Sequence, residues 1–90
     1  MFQRRDWVVC KDGFRMSVQA NQFAYCRPRV DNAGWYEAYE VGFPSQVESL
    51  LLEWAEDAVN PTDTVYGYVP VSVLVEVVRK HGGLAEEEPR

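Results

Sequence analysis

The sequence predicts an α+β fold: a small antiparallel sheet, made of a hairpin, a third strand and a short fourth strand, packed by two helices in the order β-β-β-α-β-α. Three observations carry this. Phe14, Met16, Val18 and Ala20 alternate with Arg15, Ser17 and Gln19, the period-two signature of a half-buried strand. Val47, Leu50, Leu51, Trp54, Ala55 and Ala58 recur instead at helical spacing behind Ser45. The longest apolar segment, Asn60 to Gly83, reads as a turn, a strand and a closing helix.

Trp7 to Cys10 is the first strand, and Asp12-Gly13 reads as a two-residue hairpin turn with positive φ at both positions. Phe14 to Ala20 pairs back, its apolar residues facing the core. Asn21 to Gly34 is irregular, and a loop of this length in a small domain is often functional. Trp35 to Val41, continuing towards Phe43, is the third strand, with Trp35, Glu37, Tyr39, Val41 and Phe43 on one face. Ser45 is a good N-cap, Ser45 to Glu48 spells a capping box, and Phe43 is placed to staple onto the first turn.

Asn60-Pro61-Thr62-Asp63 signals a turn. Thr64 to Val69 is rich in β-branched and aromatic residues, with Val65, Gly67 and Val69 on one face and Tyr66 and Tyr68 on the other. Gly67 marks a bulge or the close approach of another backbone. Pro70 suits the first position of a helix, where its missing N–H costs nothing. Val71, Leu74, Val75 and Val78 form a helical stripe, Arg79, Lys80 and His81 complement the dipole of its last turn, and Gly82-Gly83 stops it. Valine is a poor helix former and Val71, Val73, Val75 and Val77 also alternate as a strand would, but the end signals favour the helix.

Ninety residues make one domain. Its expected extent is residues 1–83, with a frayed acidic tail over residues 84–90. No apolar run approaches the about 20 residues of a membrane span, and no apolar segment follows the opening residues as in a signal peptide. The expected location is therefore the cytosol of the expressing cell, with no membrane partner. Two cysteines, Cys10 and Cys26, are too few for a disulfide framework. With His81 they fall one ligand short of a zinc site, so no metal or other cofactor is expected.

Net charge is −5, unevenly distributed. Basic residues crowd the first third: Arg4, Arg5, Lys11, Arg15, Arg27 and Arg29. From Val30 to Val78 there is no Lys or Arg, while Glu48, Glu53, Glu56 and Asp57 cluster on the expected first helix. Carboxylates near a helix C-terminus oppose its dipole, a cost that hints at use. Such asymmetry either steers a partner or places basic and acidic halves against each other in the fold. Tyr25, Arg27 and Arg29 face the same choice: they contact a phosphate, a carboxylate or an aromatic face, or they pair with acids from residues 37–57, the commoner outcome. The single histidine sits at a predicted helix end, and the serines have no evident base partner, so no catalytic residue is expected. Overall acidity disfavours direct nucleic-acid binding, although the basic third keeps a local contact open.

Asp12 to Ala20 (DGFRMSVQA), Tyr25-Cys26 with Pro28-Arg29, Val41 to Ser45 (VGFPS), and Pro61 to Pro70 (PTDTVYGYVP) with His81-Gly82-Gly83 resemble a family of short, uncharacterised proteins of tailed bacteriophages and prophages. The resemblance runs from Trp7 to Gly83, with Arg27 standing where the pattern has a small residue. It implies a common fold and carries over no catalytic or binding residue. By analogy with other small acidic phage proteins, it implies a non-enzymatic accessory protein that binds a host or defence-system protein stoichiometrically, as an anti-CRISPR inhibitor does. Glu48, Glu53, Glu56 and Asp57, with Tyr25, Arg27 and Arg29, are the expected contact residues. The competing expectation is a structural or morphogenesis protein that self-associates through Trp35, Tyr36, Tyr39, Tyr66 and Tyr68.

Overall fold

The computed structural model describes residues 5–85, with side chains from Trp7 onward. The tail from residue 86, Arg4 and the side chain of Arg5 lie outside the described residues. The fold is α+β. Four antiparallel strands, β1 (Arg5–Val9), β2 (Arg15–Gln19), β3 (Ala38–Gly42) and β4 (Val65–Pro70), form a meander in the order β1-β2-β3-β4. A 3-10 helix (Ser49–Trp54) precedes β4, and α1 (Val71–Lys80) follows it directly. Both pack on one side of the sheet, where Leu51, Leu74, Val77 and Val78 join Val8, Met16, Val18, Val41, Tyr66 and Val69 in the core.

The alternation in Phe14 to Ala20 is realised in full, with all four apolar residues buried. The turn before it differs from the two-residue expectation. Cys10 donates its N–H to Phe14 O at 2.8 Å, Gly13 donates to Cys10 O at 2.9 Å, and only Gly13 has a positive φ, at 96°. The loop is therefore the three-residue Lys11-Asp12-Gly13, with glycine at the left-handed position. Asp12 is left to fold its carboxylate back, and Oδ1 accepts the N–H of Phe14 at 2.9 Å.

The third strand starts later than expected, at Ala38. Trp35 is 66% exposed, and Tyr36 turns inward, donating its hydroxyl to Val30 O and accepting from Ala33 N–H. Phe43 is also exposed, with a left-handed φ of 50° immediately after β3 ends. Ser45 does not cap a helix. Its Oγ accepts the N–H of Arg15 and its own N–H donates to Arg15 O, which extends β2.

The stripe behind Ser45 forms a short 3-10 helix in place of the expected α-helix. Glu48 caps it, with Oε2 accepting Leu50 N–H at 2.9 Å. The chain leaves the helix at Ala55, which is extended and bridges to Tyr66, while Glu56 N–H donates to Val65 O at 3.0 Å. Pairing with β4 has won over a further turn of helix. Only Glu53 lies within this short helix, while Glu56 and Asp57 fall beyond its C-cap, so the expected crowding of carboxylates at an α-helix C-terminus does not arise.

Gly67 marks a bulge, as its position in the strand predicted. Tyr39 pairs with Val69 and Val41 with Tyr66, so Gly67 and Tyr68 together oppose Glu40, with Tyr68 at φ 56°. One inserted residue reverses the faces beyond it. Tyr66 is fully buried beside Val69, where the alternation had placed them on opposite faces. Pro70 is the N-cap of α1, and its buried stripe is Leu74, Val77 and Val78, with Val71 and Val75 half-buried. Gly82 and Gly83 stop the helix at φ 90° and 94°. Leu84 then bridges to Cys10 and Ala85 N–H donates to Val9 O, so the start of the expected tail pairs with the edge of β1. No described helix is long and apolar enough to cross a membrane.

Candidate functional site

The polar residues sort into one buried ionic cluster and two exposed surfaces. The cluster lies where the β1–β2 loop, the 3-10 helix and the end of α1 meet. His81, 5% exposed, stacks its ring on Phe14 at 4.2 Å. Its Nδ1 lies 2.6 Å from Asp12 Oδ2 and its Nε2 lies 2.6 Å from Glu48 Oε1. Glu48, 1% exposed, also accepts from Lys80 Nζ at 2.8 Å and from Leu50 N–H. Two carboxylates thus face an imidazole and an ammonium, a balanced set.

Burial pushes the His81 pKa down, but the carboxylates of Glu48 and Asp12 outweigh it and hold the value above the ordinary one. Burial likewise pushes Glu48 up, and Lys80, the Leu50 N–H and His81 pull it below the usual carboxylate range. Asp12 is lowered by the Phe14 N–H and by His81. An imidazolium donating from both nitrogens has no lone pair to offer a substrate, so the geometry locks three elements together and does not present a base. Glu48, expected on the partner-binding surface, is therefore not available there: its carboxylate is the buried counter-charge of His81 and Lys80.

The first exposed surface is a groove of about 380 Å³ between the 3-10 helix and α1. Leu50, Trp54 and Val73 supply its apolar lining, and Glu53 and Glu76 stand on its two walls. Glu76 is paired with Arg79 at 3.3 Å. Glu53 and Glu56 are exposed, and neither forms an ion pair among the described residues. Asp57 is committed to a turn: its carboxylate accepts from Asn60 Nδ2 at 2.9 Å and Val59 N–H at 3.1 Å, which lowers its pKa, the Asn60 amide foremost.

The second surface is on the other, open side of the sheet. Tyr25 lies over Gly67, where an added Cβ would come within 3.3 Å of Tyr25 Cβ. Its N–H donates to Glu40 Oε1, and its carbonyl accepts from Tyr68 N–H, both at 2.9 Å. The rings of Tyr25 and Tyr68 stack at 5.9 Å. Arg29 lies 5.2 Å from the Tyr25 ring and Arg27 lies 5.7 Å from the Tyr68 ring. The result is a ladder: Arg29, Tyr25, Tyr68, Arg27. Arg27 is 3.8 Å from Glu37, and Arg29 has no ion pair among the described residues, its Nη2 donating to Phe23 O. On the far strand Arg15 lies 4.5 Å from the ring of Trp7.

Of the contact residues expected from sequence, Tyr25, Arg27 and Arg29 come together, Glu53 and Glu56 remain exposed on the helical side, Asp57 holds a turn and Glu48 is buried. Sequence reasoning placed Tyr68 among the self-associating aromatics and not with Tyr25, Arg27 and Arg29, and it missed the Asp12–His81–Glu48 cluster, whose one signal was the single histidine. Of the five aromatics expected on a self-associating face, Tyr36, Tyr39 and Tyr66 are buried, leaving Trp35 and Tyr68. Cys10 and Cys26 are free and buried, and the described residues contain no group of three or more His, Cys, Asp or Glu side chains placed to hold a metal ion. No family model, no curated protein and no solved structure matches this chain.

Proposed function

We propose that this chain is a non-enzymatic accessory protein of a tailed phage or prophage that binds another protein stoichiometrically, as an anti-defence inhibitor does. The observation that carries this reading is the groove between the 3-10 helix and α1. Apolar side chains that could have been covered by a longer helix are left open, and the carboxylate of Glu53 stands beside Trp54 without a cation among the described residues. An aromatic floor beside one carboxylate not yet engaged, Glu53, suits a Lys- or Arg-bearing segment, the apolar stem lying on Trp54 and the charge meeting Glu53. The surfaces of defence complexes that hold nucleic acid are of this basic kind.

The test is capture from extracts of a phage-sensitive bacterium, using the wild-type chain and Glu53→Lys/Glu56→Lys, followed by titration of the purified partner. One partner per chain is expected, retained by the wild type and lost by the charge-reversed variant. Equal capture by both would remove the acidic groove from the mechanism.

A second reading, a self-associating structural protein, is favoured by the large exposed aromatics Trp7, Phe23 and Trp35 on a domain this small.

A further inference from the structure

The two exposed surfaces are complementary to each other. The groove is lined by the elements that pack on the core side of the sheet, and the ladder lies over Gly67 on the open side. They share no residue. One offers Glu53 beside Trp54; the other offers Arg29 on Tyr25 and Arg27 on Tyr68. We propose that the Arg–Tyr ladder of one copy docks into the acidic groove of a second copy, giving head-to-tail self-association.

The chemistry of the ladder selects this occupant. Tyr25 has Tyr68 on its ring at 5.9 Å and Arg29 at 5.2 Å, so its ring is already engaged and poorly open to an intercalating base. What the ladder presents is two guanidiniums standing over phenol rings, which suit carboxylates. Glu37 and Glu40 sit beside the ladder and offset part of its positive charge, which disfavours a polyanionic phosphate chain more than a site that brings one or two carboxylates. The groove carries such a carboxylate, Glu53, next to half-buried Trp54 and exposed Leu50.

Because donor and acceptor surfaces lie on opposite sides of the sheet, the contact is heterologous: each copy added leaves one ladder and one groove open, so growth does not stop at a dimer. The inference rests on the groove of the proposed function but not on the partner. It adds that partner and second copy compete for the same groove, so partner binding dismantles the assembly.

The experiment is sedimentation of the full chain over a wide concentration range, at about 0.1 M and about 1 M salt, between which the Debye length falls from ~10 to ~3 Å. The wild type is expected to grow past dimer at the lower salt and to dissociate at the higher. Arg27→Glu/Arg29→Glu reverses the ladder, and Glu53→Lys/Glu56→Lys reverses the groove carboxylate that has no cation together with the exposed one three residues beyond it; each variant alone should be monomeric. Mixed in equal amounts they should assemble again, since every contact then joins opposite charges, and that rescue also shows that both are folded. A wild type that stays monomeric at the lower salt, a variant that assembles as the wild type does, or a mixture that fails to assemble overturns the proposal, as does a ladder that captures single-stranded oligonucleotide while copies remain apart. Ladder reversal should leave partner capture intact and groove reversal should abolish it, so failure of self-association is distinguishable from failure of the proposed function.

Discussion

The Asp12–His81–Glu48–Lys80 cluster and the Arg29–Tyr25–Tyr68–Arg27 ladder are both built of charged side chains set against aromatic rings, yet they do opposite work. In the first, His81 and Glu48 are sealed from water, and both imidazole nitrogens and both Glu48 carboxylate oxygens have a partner. In the second, the cations lie over ring faces in the open, and Arg29 forms no ion pair among the described residues. A charge that has been desolvated must have its hydrogen bonds made inside the fold. A charge left at the surface costs little to keep unpaired, and that leaves it available to another molecule. Damage to the cluster should therefore be read in stability, and damage to the ladder in association.

The largest effect is expected from Glu48→Ala. Removing this carboxylate strands a buried imidazolium, frees Lys80 and uncaps the 3-10 helix at Leu50. Breaking a buried pair by deleting one partner costs about 3–5 kcal/mol, a large share of the stability of a domain this small. Urea denaturation measures it. A loss below about 1 kcal/mol, the range of exposed pairs, would place Glu48 with the surface carboxylates and erase the contrast.

The next effect is a pH dependence with two limbs. His81 has its pKa raised by folding, so its stabilisation is complete below the unfolded histidine value of about 6.5 and is lost as pH rises through the folded value. Asp12 and Glu48 have theirs lowered, so their stabilisation is complete above the unfolded carboxylate values of about 4 and is lost as pH falls through the folded ones. Stability should peak between about pH 4.5 and 6.5 and decline towards pH 8, before the raised thiol pKa values of Cys10 and Cys26 enter. Denaturation midpoints across this range test it. His81→Gln should be less stable throughout and should flatten the decline above pH 6.5; a wild-type midpoint that rises from pH 6.5 to 8 would contradict the assignment of an imidazolium.

What was legible in the sequence follows from how far apart the deciding residues lie. The strand Phe14 to Ala20 declares its buried face locally, through alternation, and Gly82-Gly83 declares the end of α1 locally, through left-handed backbone. The position of the bulge was also local, but its consequence was not: whether Tyr66 or Tyr68 turns inward depends on how β4 registers against Tyr39 and Val41. Glu48 looked like a surface acid because the groups that draw it inward, Lys80 and His81, lie 32 and 33 positions away, and Asp12 lies 69 positions from His81. The 3-10 helix was hidden for the same reason, since Ala55 gives up helix to pair with Tyr66 of β4. Tyr25, Arg27 and Arg29 were recognisable together because they are neighbours in the chain, while their fourth member, Tyr68, arrives only through the meander.

Gly67→Ala sharpens the comparison from the side of the ladder. The new methyl would meet Tyr25 Cβ at 3.3 Å, and Tyr25 is pinned at both backbone ends, to Glu40 and to Tyr68. Overpacking against a pinned neighbour costs about 1 kcal/mol, modest beside the Glu48 loss. The specific expectation is displacement of the Tyr25 ring from Tyr68, seen as changed tyrosine ring resonances by NMR, together with weaker self-association. Unchanged ring resonances would show that Gly67 is not what seats the ladder.

The smallest stability effect, with the largest effect on association, is expected from Arg29→Gln. The substitution removes a cation from the Tyr25 ring and one hydrogen bond to Phe23 O, both exposed. Exposed cation–π contacts contribute about 0.5–1 kcal/mol, so the denaturation midpoint should shift little. Glutamine keeps a planar hydrogen-bonding group but carries no charge, so the salt dependence of sedimentation should shrink while the fold persists. Combined with Glu48→Ala, the two stability losses should add, because the cluster and the ladder lie on opposite sides of the sheet and share no contact. Strong non-additivity would mean that the sheet couples them, and that the division between a charge spent on folding and a charge kept for a partner is not as clean as the geometry draws it.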